Sequence, residues 1–231
     1  MQTRETAVHQ SQFVVLTKLK DYSEFIKLRL TSLVLFSAAT GYLLAADKVD
    51  FFELGMLVLG GLLITGASNG FNQIYERDTD KLMIRTADRP LPKGRMSVTE
   101  GTLLASILAI SGAVVLWYFL NPLSAILGII ALVLYAAVYT PLKRVTPFAV
   151  FVGAFPGSIP PLIGWTAYTG EMALGGWILF AIQFIWQFPH FWAIAWRVHE
   201  DYKRAGFKML PSPGGRDKSS AFQILVYTIG L

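Results

Sequence analysis

The chain has 231 residues, of which 54% are hydrophobic and 15% charged, with a mean hydropathy of +0.50 and a formal net charge of +5. Soluble domains carry roughly 25% charged residues, so a fold of this size in water would be left with more apolar surface than it can hide, and lipid is the fitting solvent. The composition excludes a disordered chain, a collagen, a disulfide scaffold and a soluble nucleic-acid binder, and the absence of cysteine excludes thiolate nucleophiles and Cys-ligated metals.

Residues 1–23 are polar and of mixed charge, with no short apolar core before a small-residue cleavage site, so they do not read as a cleaved signal peptide. Apolar segments then follow at about 25–46, 52–75, 98–120, 123–139, 147–168 and 174–196. Each has about the 20 residues that a helix needs to cross the hydrocarbon core. A seventh apolar run starts near Ala221 and stops at Leu231, too short to cross, so the chain reads as C-terminally incomplete. The expected fold is all-α: a single polytopic membrane domain over 1–231.

With the N-terminus on the inside, 19 of the 20 Lys and Arg fall in inner segments, and only Lys48 lies outside. That bias orients a membrane protein with its basic loops in the cytoplasm. Trp117, Trp165, Tyr168 and Trp177 fall at the outer ends, where an aromatic belt belongs. The outer connections are short. Two inner loops, about 76–97 and 197–219, are long and polar, and function concentrates on such loops. Pro147, Pro156, Pro160 and Pro161 crowd the fifth span. They fit either a broken helix lining a cavity or a merely kinked packing helix.

The richest stretch runs from Asn72 to Pro92. Asn72, Glu76 and Asp80 recur every four residues, so a helix that continues past the membrane face sets them along one side. Two carboxylates and an amide offer oxygen ligands to a hard cation such as Mg²⁺, which completes its octahedron with water and substrate phosphate. Arg85 and Arg89, also four apart, present guanidinium forks suited to phosphate oxygens. A charged loop with helix-surface ion pairs would give the same spacing.

The second inner loop and the helix before it supply His190, Trp186, Trp192, Trp196, Glu200, Asp201 and Lys203. His190 lies within a predicted span, which makes it a functional candidate, or else a hydrogen-bonded packing histidine. The tryptophans could line a groove for an isoprenoid chain or belong to core and belt. Tyr135, Tyr139 and the pair Lys143-Arg144 end the fourth span, as part of a site or as a positive-inside anchor. Three inner ends thus offer an acidic-then-basic stripe, a mixed His/acid/base cluster and a Lys-Arg pair. Their convergence points to an anionic substrate with an apolar body that enters from the membrane.

Asn72–Pro92 resembles the first Asp-rich motif of the UbiA superfamily of intramembrane prenyltransferases, N-x-x-x-D-x-x-x-D followed by R-T-x-x-R-P-L-P. The runs 139–147, 153–165 and 190–211 make the chain most similar to the superfamily's heme-farnesylating branch. The resemblance implies helices packed round a central cavity open to lipid, in a bacterial-type inner membrane, with the active site on the cytoplasmic side. It implies Mg²⁺-dependent departure of diphosphate from farnesyl diphosphate and transfer of the farnesyl group, with water, to a vinyl group of heme b. Heme b is then a substrate rather than a cofactor, and a downstream heme-modifying enzyme is an expected partner.

Carried over by position, Asn72, Glu76 and Asp80 match the metal motif, with Glu76 and Asp80 also in the catalytic role. Arg85, Arg89, Lys143 and Arg144 match diphosphate-holding positions. Asp201 is the added metal candidate, and Lys203 the added diphosphate contact. Tyr135, Tyr139 and Trp192 are expected near the prenyl chain or heme. His190 is expected to be catalytic, as a proton acceptor, or otherwise a heme-propionate partner or axial ligand. Departures are Glu76 in place of Asp, His190 near the first Asp of the second acidic motif, and Lys27-Leu28-Arg29 where Lys-Pro-Arg is usual. Other acceptors, an aromatic acid or quinone precursor, stay open, as does a small-solute transporter.

Overall fold

A computed structural model describes residues 16–231; the start of the polar N-terminal segment, including Arg4, lies outside the described residues. All the regular structure in this range is helical. Helix α1 covers 16–25, and α2 (Leu28–Ala45), α3 (Phe51–Asp80) and α4 (Val98–Phe119) follow. Next, α5 (Pro122–Val133) runs through a π-helical turn at Leu134–Tyr139 into the short α6 (Thr140–Leu142). The chain closes with α7 (Ala149–Thr169), α8 (Leu174–Arg197), α9 (His199–Ala205) and α10 (Lys218–Ile229). Six of these rods are long and apolar enough to cross a membrane, counting 122–142 as one. The protein is a multi-pass integral membrane protein.

The helix starts follow local capping chemistry. Asp50 accepts from the N–H groups of Phe52 and Glu53 to open α3. Ser97 caps α4 through Glu100, and Asn121 caps α5 through Ser124, with Pro122 at the first turn. Each cap satisfies amides that the helix leaves unpaired and contributes about 1 kcal/mol. Pro122 fits its position because a first-turn residue needs no N–H donor.

The apolar surface faces outward. Leu33, Phe36, Ile110 and Leu174 are exposed, while Asn69, Asn72, Gln73, Glu76 and Asp80 on α3 are buried. Helix α7 is central, with 67% of its apolar window buried, against 17–33% for the other five rods. It stays one helix despite Pro156, Pro160 and Pro161. Its closest neighbour is α2. A Cβ on Gly41 would strike the Pro161 carbonyl, and one on Gly164 would strike that of Ala38. Small residues that let backbones touch are how helices associate where lipid removes the hydrophobic driving force.

The second apolar span ends near residue 75, and the helix continues past it as the Asn72–Asp80 spacing requires: α3 runs to Asp80 and carries its polar end beyond. In the fourth rod, the carbonyl of Tyr135 accepts from both the backbone N–H and the Oγ1 of Thr140. This wide turn precedes Pro141, which has no N–H to continue an ordinary ladder.

A candidate metal-diphosphate site at one end of the helices

The last turns of α3 place Asn72, Glu76 and Asp80 on one buried side, as their four-residue spacing predicts. Each meets a basic group from a different segment. Lys27 Nζ donates to Asn72 Oδ1 at 2.9 Å. Lys143 Nζ donates to Glu76 Oε1 at 2.8 Å, with both residues buried. Arg89 Nη1 donates to Asp80 Oδ2 at 2.7 Å, and Asp80 is fully buried. The amide of Asn72 donates in turn to Thr140 Oγ1 at 3.1 Å, which ties α3 to the turn before Lys143. Buried charges need such partners, because an isolated ion loses its hydration with nothing in return.

Aromatic faces surround the lysine. Lys143 Nζ lies 4.6 Å from the Tyr139 ring centre, 6.0 Å from that of Tyr135 and 5.7 Å from that of Phe207. Ring faces attract cations and hold this ammonium without a second carboxylate.

The loop after α3 folds back over its end. Thr86 Oγ1 donates to the Asp80 carbonyl at 3.0 Å. Asp201, at the start of α9, accepts from the backbone N–H groups of Ile84 and Arg85 at 3.2 and 3.3 Å and pairs with Arg204. Burial would push the Asp201 carboxyl up, but Arg204 and the two amides outweigh it and hold the carboxyl below its usual range. This aspartate clasps the two inner loops together.

Among the described residues, the side chains of the remaining predicted residues make no hydrogen bond or ion pair with this buried cluster. Arg85, Arg144 and Lys203 are exposed. The His190 ring stacks on Trp186 at 4.3 Å, with Phe191 beside it. Trp192 is buried against Tyr227 and Phe188. Sequence reasoning did not single out Lys27 or Thr140 as site residues. Lys27 carried a signal, since an ionisable side chain inside the predicted 25–46 span is a functional candidate. It also adopts a left-handed backbone, φ 50°, unique among non-glycine described residues.

The donor set fits a magnesium ion. Among the described residues no group of three or more His, Asp or Glu forms a dedicated cage. Two carboxylates and an amide remain, and Mg²⁺ usually takes one or two carboxylates plus substrate phosphate. Asp80 Oδ1 is buried without a hydrogen-bond partner, so one lone-pair-bearing oxygen stands ready for a ligand.

The profile of the UbiA prenyltransferase family matches residues 34–231. The chain belongs to the UbiA prenyltransferase family. A protoheme IX farnesyltransferase of Christiangramia forsetii is 50% identical over 223 residues, covering 96% of this chain and 73% of the relative. One from Cytophaga hutchinsonii is 50% identical over 211 residues, 91% of this chain and 74% of the relative. Among solved structures, a UbiA homologue of Archaeoglobus fulgidus bound to DMAPP and Mg²⁺ superposes with a TM-score of 0.78. It is 17% identical, with 90% of this chain and 74% of that one covered. A digeranylgeranylglyceryl phosphate synthase matches with a TM-score of 0.73 at 21% identity, over 92% of this chain and 74% of that one. These two structures establish the UbiA fold for this member of the family.

Proposed function

We propose that this chain transfers the farnesyl group of farnesyl diphosphate to a vinyl group of heme b, with addition of water, to give heme O and diphosphate. The observation that carries this reading is the 50% identity, over 96% of the chain, to a protein named for that farnesyl transfer. The membrane is a bacterial-type inner membrane, and the end of the helices carrying Asp80 faces the cytoplasm. The basic bias of the inner loops supports that orientation.

Asn72, Glu76 and Asp80 would hold Mg²⁺, which supplies charge neutralisation for the departing diphosphate. The relative solved with DMAPP and Mg²⁺ supports this pairing of metal and allylic diphosphate. Arg89 and Lys143 already converge on the carboxylates, so both can turn to phosphate oxygens when substrate arrives. Arg85 and Arg144, exposed at the same end, add donors to the diphosphate. Charge then develops on the leaving group inside preset cations, where it is stabilised without reorganisation.

The allylic carbon left behind needs an apolar, dry setting. Tyr135 and Tyr139 flank Lys143 and offer ring faces to it. The bond to the C1 carbon of farnesyl breaks toward diphosphate, a vinyl carbon of heme b attacks C1, and water adds at the other vinyl carbon with loss of one proton. His190, whose ring stacks on Trp186, is proposed to contact the heme rather than the diphosphate.

The test is incubation of the purified chain with heme b, farnesyl diphosphate and Mg²⁺, followed by heme extraction and mass measurement. A heme heavier by one farnesyl group and one hydroxyl is expected. Recovery of heme b alone would contradict the reading.

A further inference from the structure

A cavity of about 560 Å³ lies between the end of α8, α9, the loop that follows it to Gly215, and Pro147 just before α7. Lys203, Lys208 and His199 line it together with the apolar faces of Tyr202, Phe207 and Leu210. No carboxylate is among its described lining residues. Of the acids that flank it, Asp201 is engaged by Arg204 and the amides of Ile84 and Arg85, and Asp217, against the lining residues Ser212 and Gly214, accepts from Ser212 Oγ and the Ser220 amide. Lys203 and Lys208 are exposed at this hollow and neither is in an ion pair among the described residues, so the two ammonium groups suit an anionic ligand with an apolar body. Gly215 keeps part of the wall as bare backbone at φ +74°, and a Cβ there would come within 2.9 Å of the His199 ring.

The cavity adjoins the metal-diphosphate centre. Phe207 lines it and also lies 5.7 Å from Lys143 Nζ. The backbone N–H of Lys208 donates to the Lys143 carbonyl at 2.7 Å. Tyr202 packs edge-on against Phe207 at 5.3 Å, so these two rings form the wall shared by cavity and centre. A molecule seated here stands beside Lys143, at the edge of the candidate metal-diphosphate centre.

We propose that this cavity seats the prenyl acceptor and holds it by its carboxylates, with Lys203 and Lys208 as the recognition groups. The proposal rests on the farnesyl-to-heme reading. Heme b is a flat apolar macrocycle with two carboxylates on one edge, and pairing that edge with the lysines leaves the opposite, vinyl-bearing edge free to face the reaction centre. Lys203 thereby serves the acceptor rather than the diphosphate.

The experiment is equilibrium binding of heme b to the purified full chain in detergent, followed by absorbance, without farnesyl diphosphate. The double variant Lys203→Gln/Lys208→Gln is expected to raise Kd about tenfold, as the loss of two charge-assisted but solvent-screened contacts allows. Heme b dimethyl ester, without the two charges, is expected to bind wild type and variant alike. Lys93→Gln, an exposed change at the same end, is expected to leave Kd unchanged. Equal heme b binding by wild type and double variant, or a tenfold difference that persists with the ester, overturns the proposal. So does displacement of heme b by equimolar phosphatidylglycerol, which would assign the lysines to a lipid headgroup. A binding difference in a protein that forms no farnesylated heme would overturn the proposed reaction and leave the carboxylate site standing.

Discussion

Glu76 and Lys143, 67 residues apart in sequence, meet at 2.8 Å with both side chains buried. The contact joins the end of α3 to the end of the fourth rod, and it sets an anion and a cation where one substrate can engage both. Removing one partner of a buried pair leaves an uncompensated charge and costs about 3–5 kcal/mol. Lys143→Met is therefore expected to lower Tm in detergent by roughly 10 °C. Glu76→Gln/Lys143→Met is expected to recover most of that loss while remaining inactive. Recovery of turnover with stability would show that the pair serves structure alone.

Asp80 has one oxygen on Arg89 and one buried oxygen without a partner. Asp80→Asn keeps the size and removes the charge that a divalent cation needs. Turnover is expected to fall at least about a hundredfold, the scale of losing a preset electrostatic group, with the folded protein still recovered from membranes. The assay is product formation under excess Mg²⁺, and wild-type rates would contradict the assignment.

Asp201 holds the loop that carries Arg85 and Arg89 through two backbone amides. Asp201→Ala is expected to speed hydrogen exchange at Ile84 and Arg85 and to lower turnover several-fold, because Arg89 loses its fixed approach. Peptide-level exchange mass spectrometry over 81–97 reads the first effect. Unchanged exchange there would mean that the clasp does not hold the loop.

The α2–α7 contact leaves no room for a methyl group at Gly164, which faces the Ala38 backbone. Gly164→Ala is expected to destabilise the protein by about 1–3 kcal/mol or more, because a backbone neighbour cannot move aside as a side-chain end can. Thermal unfolding in detergent measures it. A Tm within one degree of wild type would show that α2 and α7 slide apart at little cost.

Much of this architecture is legible in the sequence because the bilayer imposes a length and a charge bias. The six spans fall close to the six apolar rods, and the four-residue spacing of Asn72, Glu76 and Asp80 already puts them on one buried side. What could not be read is which cation answers which oxygen. Lys27, Arg89 and Lys143 reach α3 from three places along the chain, and only the packing of α2 and of the fourth rod against α3 brings them together. The role of Asp201 was hidden for a related reason, since its partners are backbone amides that no side-chain pattern marks. The prolines of α7 pointed equally to a broken helix, and the burial of that helix keeps it whole.

The central claim is that the oxygens of α3 and the cations around them grip a metal-bound diphosphate. Manganese binding, followed by electron paramagnetic resonance with a non-ionisable farnesyl diphosphate analogue, tests it most directly. The wild-type chain is expected to bind Mn²⁺ tightly only when the analogue is present, and Glu76→Gln and Asp80→Asn are expected to abolish that binding. Mn²⁺ bound equally by wild type and both variants, or bound without regard to the analogue, would contradict the claim.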